Sequence, residues 1–295
     1  MKKYGILLAG LISCFSACEK EIEFKGGETE PQLVLNSILT PDSAIRVHLS
    51  ESRFFLADKA EFKNIRNAAV TLLKNGEVIE TFRDAGEGYY VADYRPKTGD
   101  RLQITASASG LEPVECSAEI LPAPTVLSAD MVKLSTDNDY DLTVSLKDPS
   151  ETSDYYRIDM YVMVYDGKSG YYYPGDVLYD SDDMVFGSAG LDPFGAGNNY
   201  YYVFSDELFN GKEYKLKLRL YHLINDQEGK TKLFIELQHI TKDYYLYLKS
   251  RNVALGDEIG LFTEPVQIYN NIQGGIGILG SYTSTVYELP LNGIE

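Results

Sequence analysis

Val70-Thr71-Leu72-Leu73-Lys74-Asn75-Gly76-Glu77-Val78-Ile79-Glu80-Thr81-Phe82 sets two short apolar runs on either side of an Asn-Gly pair. Asn and Gly adopt positive φ at low cost, and the tight turn whose twist matches that of two antiparallel strands needs two such residues in succession. The stretch therefore predicts a β-hairpin, and a hairpin needs further strands to bury its apolar face. Similar alternations, each bounded by turn residues, run outward from it: Leu33 to Leu39 and Ile45 to Leu49 before, Gly88 to Tyr94, Leu102 to Ala108 and Val114 to Ile120 after. About seven strands in about ninety residues is the spacing of an immunoglobulin-like sandwich.

Pro122-Ala123-Pro124 follows, and paired prolines interrupt both helix and strand pairing, which places a domain boundary there. Beyond it Asp141 to Leu146, Tyr155 to Val164, Lys215 to Tyr221, Lys232 to Gln238 and Ser284 to Leu289 alternate well enough for a second sandwich. Two features interrupt it. Asp166 to Asn199 is longer than a connecting loop should be and rich in Gly, Asp and Tyr. Thr241 reads as a helix cap, with Ile240, Tyr244 and Leu248 at helical spacing behind it. The expected fold is all-β: two tandem immunoglobulin/fibronectin-III-like β-sandwiches at residues 31–121 and 122–295, the second carrying one short helix and an insertion at about 166–199.

Ahead of the first strand the chain reads differently. Lys2 and Lys3, an apolar run from Ile6 to Ile12, and Phe15-Ser16-Ala17-Cys18 form a secretory signal with small residues before a cysteine. The apolar run is too short to span a bilayer. The pattern is that of a bacterial lipoprotein signal: residues 1–17 are removed and the Cys18 thiol is diacylated, which makes the acyl chains the link to a membrane. Leu11-Ile12-Ser13-Cys14 is the rival cleavage point, but it leaves an apolar core of seven residues, Ile6 to Ile12. Residues 18–30, with Gly26-Gly27 among charges, read as a flexible acylated tether with a reach of at most roughly 40 Å.

The chain has 27 basic and 44 acidic residues, and removal of Lys2 and Lys3 takes the net charge from −17 to −19. Such a surface repels phosphate backbones, which argues against nucleic acid, and repels anionic lipid headgroups, which leaves attachment to the acyl chains. The chain has three cysteines. With Cys14 removed and Cys18 acylated, Cys116 is alone and no internal disulfide can form; it reads as a small packing residue.

Few motifs carry chemistry. Gly275-Ile276-Gly277-Ile278-Leu279-Gly280 has the spacing of a dinucleotide fingerprint without the following helix, and reads as bulges and a tight turn near the final strand. Asp137-Asn138-Asp139-Tyr140-Asp141 alternates carboxylates like a calcium loop, with Asp148 near the position of a twelfth ligand, but Leu142 stands where that loop needs glycine, so it reads as an acidic turn entering a strand. Asp180, Asp182 and Asp183 have more freedom to wrap a structural calcium ion; no other cofactor is expected. His48, His222 and His239 lie in or beside strands with no second ligand at metal spacing. Between Asp166 and Asp206 seven aspartates face one base, Lys168, and 11 of the 24 tyrosines fall between Tyr155 and Tyr202. Tyrosine offers large contact area and a polar tip at low entropy cost, so Tyr171, Tyr172, Tyr173, Tyr179, Tyr200, Tyr201 and Tyr202 are candidate ligand or partner contacts, weighed against alternate packing into the core.

Together with the lipidation signal and two β-domains, Glu264-Pro265-Val266-Gln267-Ile268-Tyr269-Asn270-Asn271-Ile272, the glycine-rich Gly274 to Gly280, Ser205-Asp206-Glu207-Leu208-Phe209-Asn210-Gly211 and Lys242-Asp243-Tyr244-Tyr245-Leu246-Tyr247-Leu248 carry a resemblance. The chain resembles the Bacteroidetes lipoproteins grouped as domain-of-unknown-function family 4249, over nearly its whole length after Cys18. The resemblance implies a gene neighbourhood with a TonB-dependent receptor, hence an accessory role at the outer membrane and that receptor as partner. It assigns no catalytic residues. The acids after Cys18, interrupted by Lys20, also resemble a surface-export signal. The expectation is a non-catalytic outer-membrane lipoprotein facing the cell exterior, with a structural or adhesive envelope protein built of spacer modules as the alternative.

Overall fold

A computed structural model describes residues 30–53, 63–134, 138–187, 200–223, 230–256 and 267–291. The signal, Cys18, the tether up to residue 29, Asp137, Glu264 to Val266 and residues 188–199 of the insertion lie outside them. The hairpin forms where the Asn-Gly pair places it: β3 (Ala69–Lys74) and β4 (Glu77–Thr81) pair antiparallel, with Asn75 at φ 55° and Gly76 at φ 83°. Val70 and Leu72 point into a core, whereas Val78 on the edge strand is 61% exposed.

The remaining strands are β1 (Leu33–Leu39), β2 (Ile45–Glu51), β5 (Arg83–Gly86), β6 (Tyr89–Ala92), β7 (Arg101–Ser107), β8 (Val114–Glu119), β9 (Thr125–Lys133), β10 (Tyr140–Lys147), β11 (Tyr155–Asp166), β12 (Tyr171–Asp176), β13 (Leu178–Asp180), β14 (Tyr202–Ser205), β15 (Glu213–Tyr221), β16 (Lys232–Ile240) and β17 (Ile276–Pro290). They build an all-β, sandwich-like molecule of three sheets. One nine-stranded sheet runs β12-β11-β16-β17-β1-β2-β6-β5, with β14 also paired to β11; two four-stranded sheets run β4-β3-β7-β8 and β13-β15-β10-β9. Each small sheet shares a core with one half of the large one. Leu33, Leu35, Val47 and Tyr90 meet Val70, Leu72, Leu102 and Ile104 in the first core; Ile158, Val162, Ile235 and Leu237 meet Leu142, Val144, Leu216 and Leu218 in the second. The alternation seen in the sequence is this burial along the core strands, such as β1, β7 and β11, whereas the edge strands β4, β5 and β12 are exposed along most of their length.

The backbone does not part at residues 121 and 122. Pro31–Glu295 forms one compact unit, because β17 serves both halves: Ile276 to Ser281 run parallel to β1, and Tyr282 to Pro290 run antiparallel to β16. Ile272 and Leu279 thus belong to the first core, although they lie in the range 122–295 expected for the second sandwich. Gly274 and Gly275 form the turn that enters this strand, with Gly274 at φ 80°, while Gly277 and Gly280 lie within it. At Gly277 the φ is 129°, and a Cβ would stand 2.0 Å from the Leu35 carbonyl oxygen, so only glycine lets β17 approach β1 this closely. Asn271 supplies the missing edge, exchanging hydrogen bonds with the Leu279 backbone at 2.9 Å in both directions.

The linker is fastened to the same strand. Ser281, Thr283 and Thr285, every second residue on one face of β17, donate their hydroxyls to the carbonyls of Glu119, Pro122 and Pro124, the last two at 2.9 and 2.6 Å. Prolines have no N–H to offer a sheet, and here the neighbouring strand's side chains take up their carbonyls instead. Helix α1 (Lys242–Gly256) lies on the outer face of the large sheet, burying Tyr244 and Leu248 against Ile240 and Val203. Thr241 begins the helix by its carbonyl, but its hydroxyl accepts from the Ser281 N–H rather than capping the first turn. No helix among the described residues is long and apolar enough to cross a membrane.

Candidate functional site

A groove of about 770 Å³ opens on the solvent face of β13-β15-β10. Its floor follows from the alternation of Glu213–Tyr221: Leu216, Leu218 and Leu220 are buried, so Lys215, Lys217 and Arg219 stand outward in a row. The register sets what flanks them. Arg219 lies between Asp180 on β13 and Asp141 on β10, Lys217 lies opposite Thr143, and Lys215 lies opposite Ser145. Arg219 Nε donates to Asp141 Oδ1 at 3.0 Å, and this pair, with weaker contributions from Tyr221 and Asp182, holds the guanidinium above its ordinary value.

Beyond β13 the chain continues beside β15. Ser181 Oγ donates to the Lys217 carbonyl at 2.5 Å, and Asp183 accepts from Tyr214 Oη at 2.5 Å, the Lys217 N–H at 3.1 Å and the Val185 N–H at 3.3 Å. Burial, helped by the Asp183 carboxylate, pushes the Tyr214 phenol above its ordinary range. Asp183 is therefore a structural anchor and the cap of a 3-10 turn at Met184–Phe186. Asp180, Asp182 and Asp183, expected to wrap a calcium ion, line the groove without converging on one point. Asp180 instead accepts from the Ser181 N–H and Tyr202 Oη.

The tyrosines separate by environment. Tyr171, Tyr172 and Tyr173 are 75%, 45% and 50% exposed on β12, an edge of the large sheet, which is not the sheet that carries the groove; Tyr200 is exposed too. Tyr201 is half-buried against α1, its backbone held by the Asn252 amide at 2.9 and 2.7 Å. Tyr179 and Tyr202 belong to the second core, rings 4.5 Å apart, with Tyr202 Oη donating to the Tyr179 carbonyl at 2.8 Å. Burial raises both phenols. Their reading as contact residues gives way to packing, because period-two alternation turns them inward.

Of the three described acids whose ligand atoms do converge, spacing marks only Asp148, and with the Asp137 to Asp141 run rather than with its actual neighbours. Asp148, Asp154 and Asp206, all at least 95% buried, place carboxylate oxygens within 4.8 Å of one another. Each ends or precedes a strand, so their meeting is a product of the fold at one end of the second sandwich. An all-oxygen set of this kind suits a hard divalent cation. The carboxylates are already engaged, however. Asp148 accepts from Tyr156 Oη at 2.6 Å and the Gly211 N–H at 2.8 Å, Asp154 from Thr152 Oγ1 at 2.8 Å, and Asp206 from Asn210 Nδ2 at 2.9 Å. His239 completes the network, with Nδ1 2.9 Å from the Pro122 carbonyl and Nε2 3.0 Å from Asp154. A carbonyl only accepts, so Nδ1 carries a proton. Burial, with the like charges of Asp206 and Asp154, holds Asp148 above the usual carboxylate range; at Asp154 burial is outweighed by the bonds from His239 and Thr152, which hold it below. The cluster ties the second sandwich to the linker.

The other candidates are settled locally. His48 pairs with Asn64 at 3.2 Å, Asp139 accepts from the His222 N–H at 3.0 Å, and Asp141 pairs with Arg219, so Asp139 and Asp141 do not converge on an ion site among the described residues. Cys116 is buried and its thiol is pushed up to about 12 by burial, with Glu115 adding to the rise. No curated protein matches the chain. The profile of the family described as Domain of unknown function (DUF4249) matches residues 19–288, and the chain belongs to that family.

Proposed function

We propose that this protein is a non-catalytic binding component of a TonB-dependent uptake system, held at the bacterial outer membrane by acyl chains on Cys18 and facing the cell exterior. The observation that carries the reading is the groove over β15, an open, charged trough on the outer face of its sheet. Ligand sites are concave and set with a few convergent polar groups, and this one has them without a nucleophile beside a base. His48 and His239 are each committed to partners other than serine. The excess of 44 acidic over 27 basic residues supports acyl anchoring rather than electrostatic adhesion, and argues against nucleic acid. Purification of the acylated protein from mildly solubilised outer membranes, with mass spectrometry of what accompanies it, tests the reading. A TonB-dependent receptor in the eluate supports it; recovery of the lipoprotein alone, with unchanged abundance in cells lacking that receptor, overturns it in favour of a structural or adhesive spacer. The fastened linker is the observation that favours that second reading, since a spacer requires modules tied to one another.

A further inference from the structure

The charges along the groove are not evenly mixed. At the Arg219 end one guanidinium is met by three carboxylates, those of Asp141, Asp180 and Asp182. At the other end two ammonium groups, Lys215 and Lys217, form no ion pair among the described residues. One lining carboxylate, Asp183, lies near them, held by the Tyr214 hydroxyl and two backbone N–H groups; Glu213, on the same face of β15 beyond Lys215, does not line the groove; and their cross-strand neighbours are the hydroxyl residues Thr143 and Ser145. The lining thus sets three carboxylates against one guanidinium at one end and two ammonium groups against one carboxylate at the other, on a chain of net charge −17. Alternate positions on a strand are about 7 Å apart, so Lys215 and Arg219 stand about 13 Å apart. An extended chain of about four residues spans the same distance.

We propose that the groove over β15 binds a short peptide with free termini, its carboxylate against Lys215 and Lys217 and its ammonium against Asp180 and Asp182. The inference rests on the groove being the binding site and adds the class of ligand. A ligand of one sign meets repulsion at one end of the groove, whereas a molecule with opposite charges some four residues apart is attracted at both, and complementary fields of this kind select a partner and its orientation. Charge-assisted hydrogen bonds at each terminus supply the specificity, and blocking either terminus removes one of them.

The test is calorimetric titration of the full acylated protein in detergent with tetra-alanine, and with its N-acetylated and C-amidated forms. Binding of the free peptide is expected, with each block weakening it about tenfold or more. In K215Q/K217Q the penalty for amidation disappears while that for acetylation persists; in D180N/D182N the reverse holds. Lys215, Lys217 and Asp182 are exposed, and circular dichroism checks that both variants remain folded. Equal binding of blocked and free peptides overturns the proposal, as does preference for polygalacturonate, an acidic polymer without an ammonium. If no peptide binds but K215Q/K217Q abolishes receptor co-purification, the peptide inference fails while the groove stands. If that variant alters neither peptide binding nor co-purification, the groove itself is not the site.

Discussion

Two glycines with positive φ separate backbone strain from close approach. Gly76, at φ +83°, has nothing within 4 Å of where a Cβ would stand; Gly277, at φ +129°, would place a Cβ 2.0 Å from the Leu35 carbonyl oxygen and 2.8 Å from its carbon. Gly76→Ala therefore costs only the left-handed conformation, about 1 kcal/mol. Gly277→Ala adds a clash with backbone, and neither β1 nor β17 can yield without parting the parallel pair that runs from Val34 and Ile276 to Leu39 and Ser281. Strain in that region alone costs about 1–3 kcal/mol, and with the displaced pairing the total reaches about 3 kcal/mol or more. For a chain of this order about 2–4 °C in Tm accompanies each kcal/mol, so a fall of about 6–12 °C is expected for Gly277→Ala and about 2–4 °C for Gly76→Ala. Thermal denaturation followed by circular dichroism measures both. Equal shifts for the two variants would refute the argument that β17 needs glycine in order to lie against β1.

Asp154→Asn is expected to cost about 3 kcal/mol at pH 7, because it leaves the buried His239 without its carboxylate. Asp154 lies below its ordinary value, so its contribution is present above the unfolded value of about 3.9 and is lost as pH falls through the native one; urea titrations from pH 5 downward should show a shallower acid loss in the variant than in the wild type. Asp148 has the opposite sign: raised by burial, its contribution is present below about 3.9 and lost as pH rises through its native value, so Asp148→Ala should flatten the decline on that side. Thr283→Val keeps the shape but deprives the Pro122 carbonyl of a donor, and chemical denaturation should report about 1 kcal/mol less stability; no change would mean that water replaces the bond. Cys116, buried and pushed up to about 12, should resist iodoacetamide at pH 8 in the native protein and react once urea unfolds it; fast native alkylation would contradict its placement.

The candidate site was only partly legible. The three outward bases of β15 follow from alternation, and Asp180 and Asp182 stand out by composition, but that Asp141, 39 residues earlier than Asp180, flanks the same Arg219 is a matter of register between strands. Tyr171 and Tyr179 look equivalent as residues; the first is on a sheet edge and the second packs on the core, a difference that depends on what covers each strand. The meeting of Asp148, Asp154 and Asp206 was not legible, since a buried carboxylate is recognised by its partners, and those lie in three separate segments, at Tyr156, Asn210-Gly211 and His239.

Local chemistry determined the elements themselves. The Asn75-Gly76 hairpin, the alternating strands on both sides of Pro122 and the helix through Tyr244 and Leu248 all express preferences that act within a few residues: positive φ at a turn, period-two burial, and one apolar stripe. Tertiary structure decided where the chain is joined. Nothing within Ile276 to Pro290 announces that its first six residues pair with β1, some 240 positions away, while the rest pair with β16. A strand with two unpaired edges must find its partners among all others, and that choice is made by the packing of two cores at once.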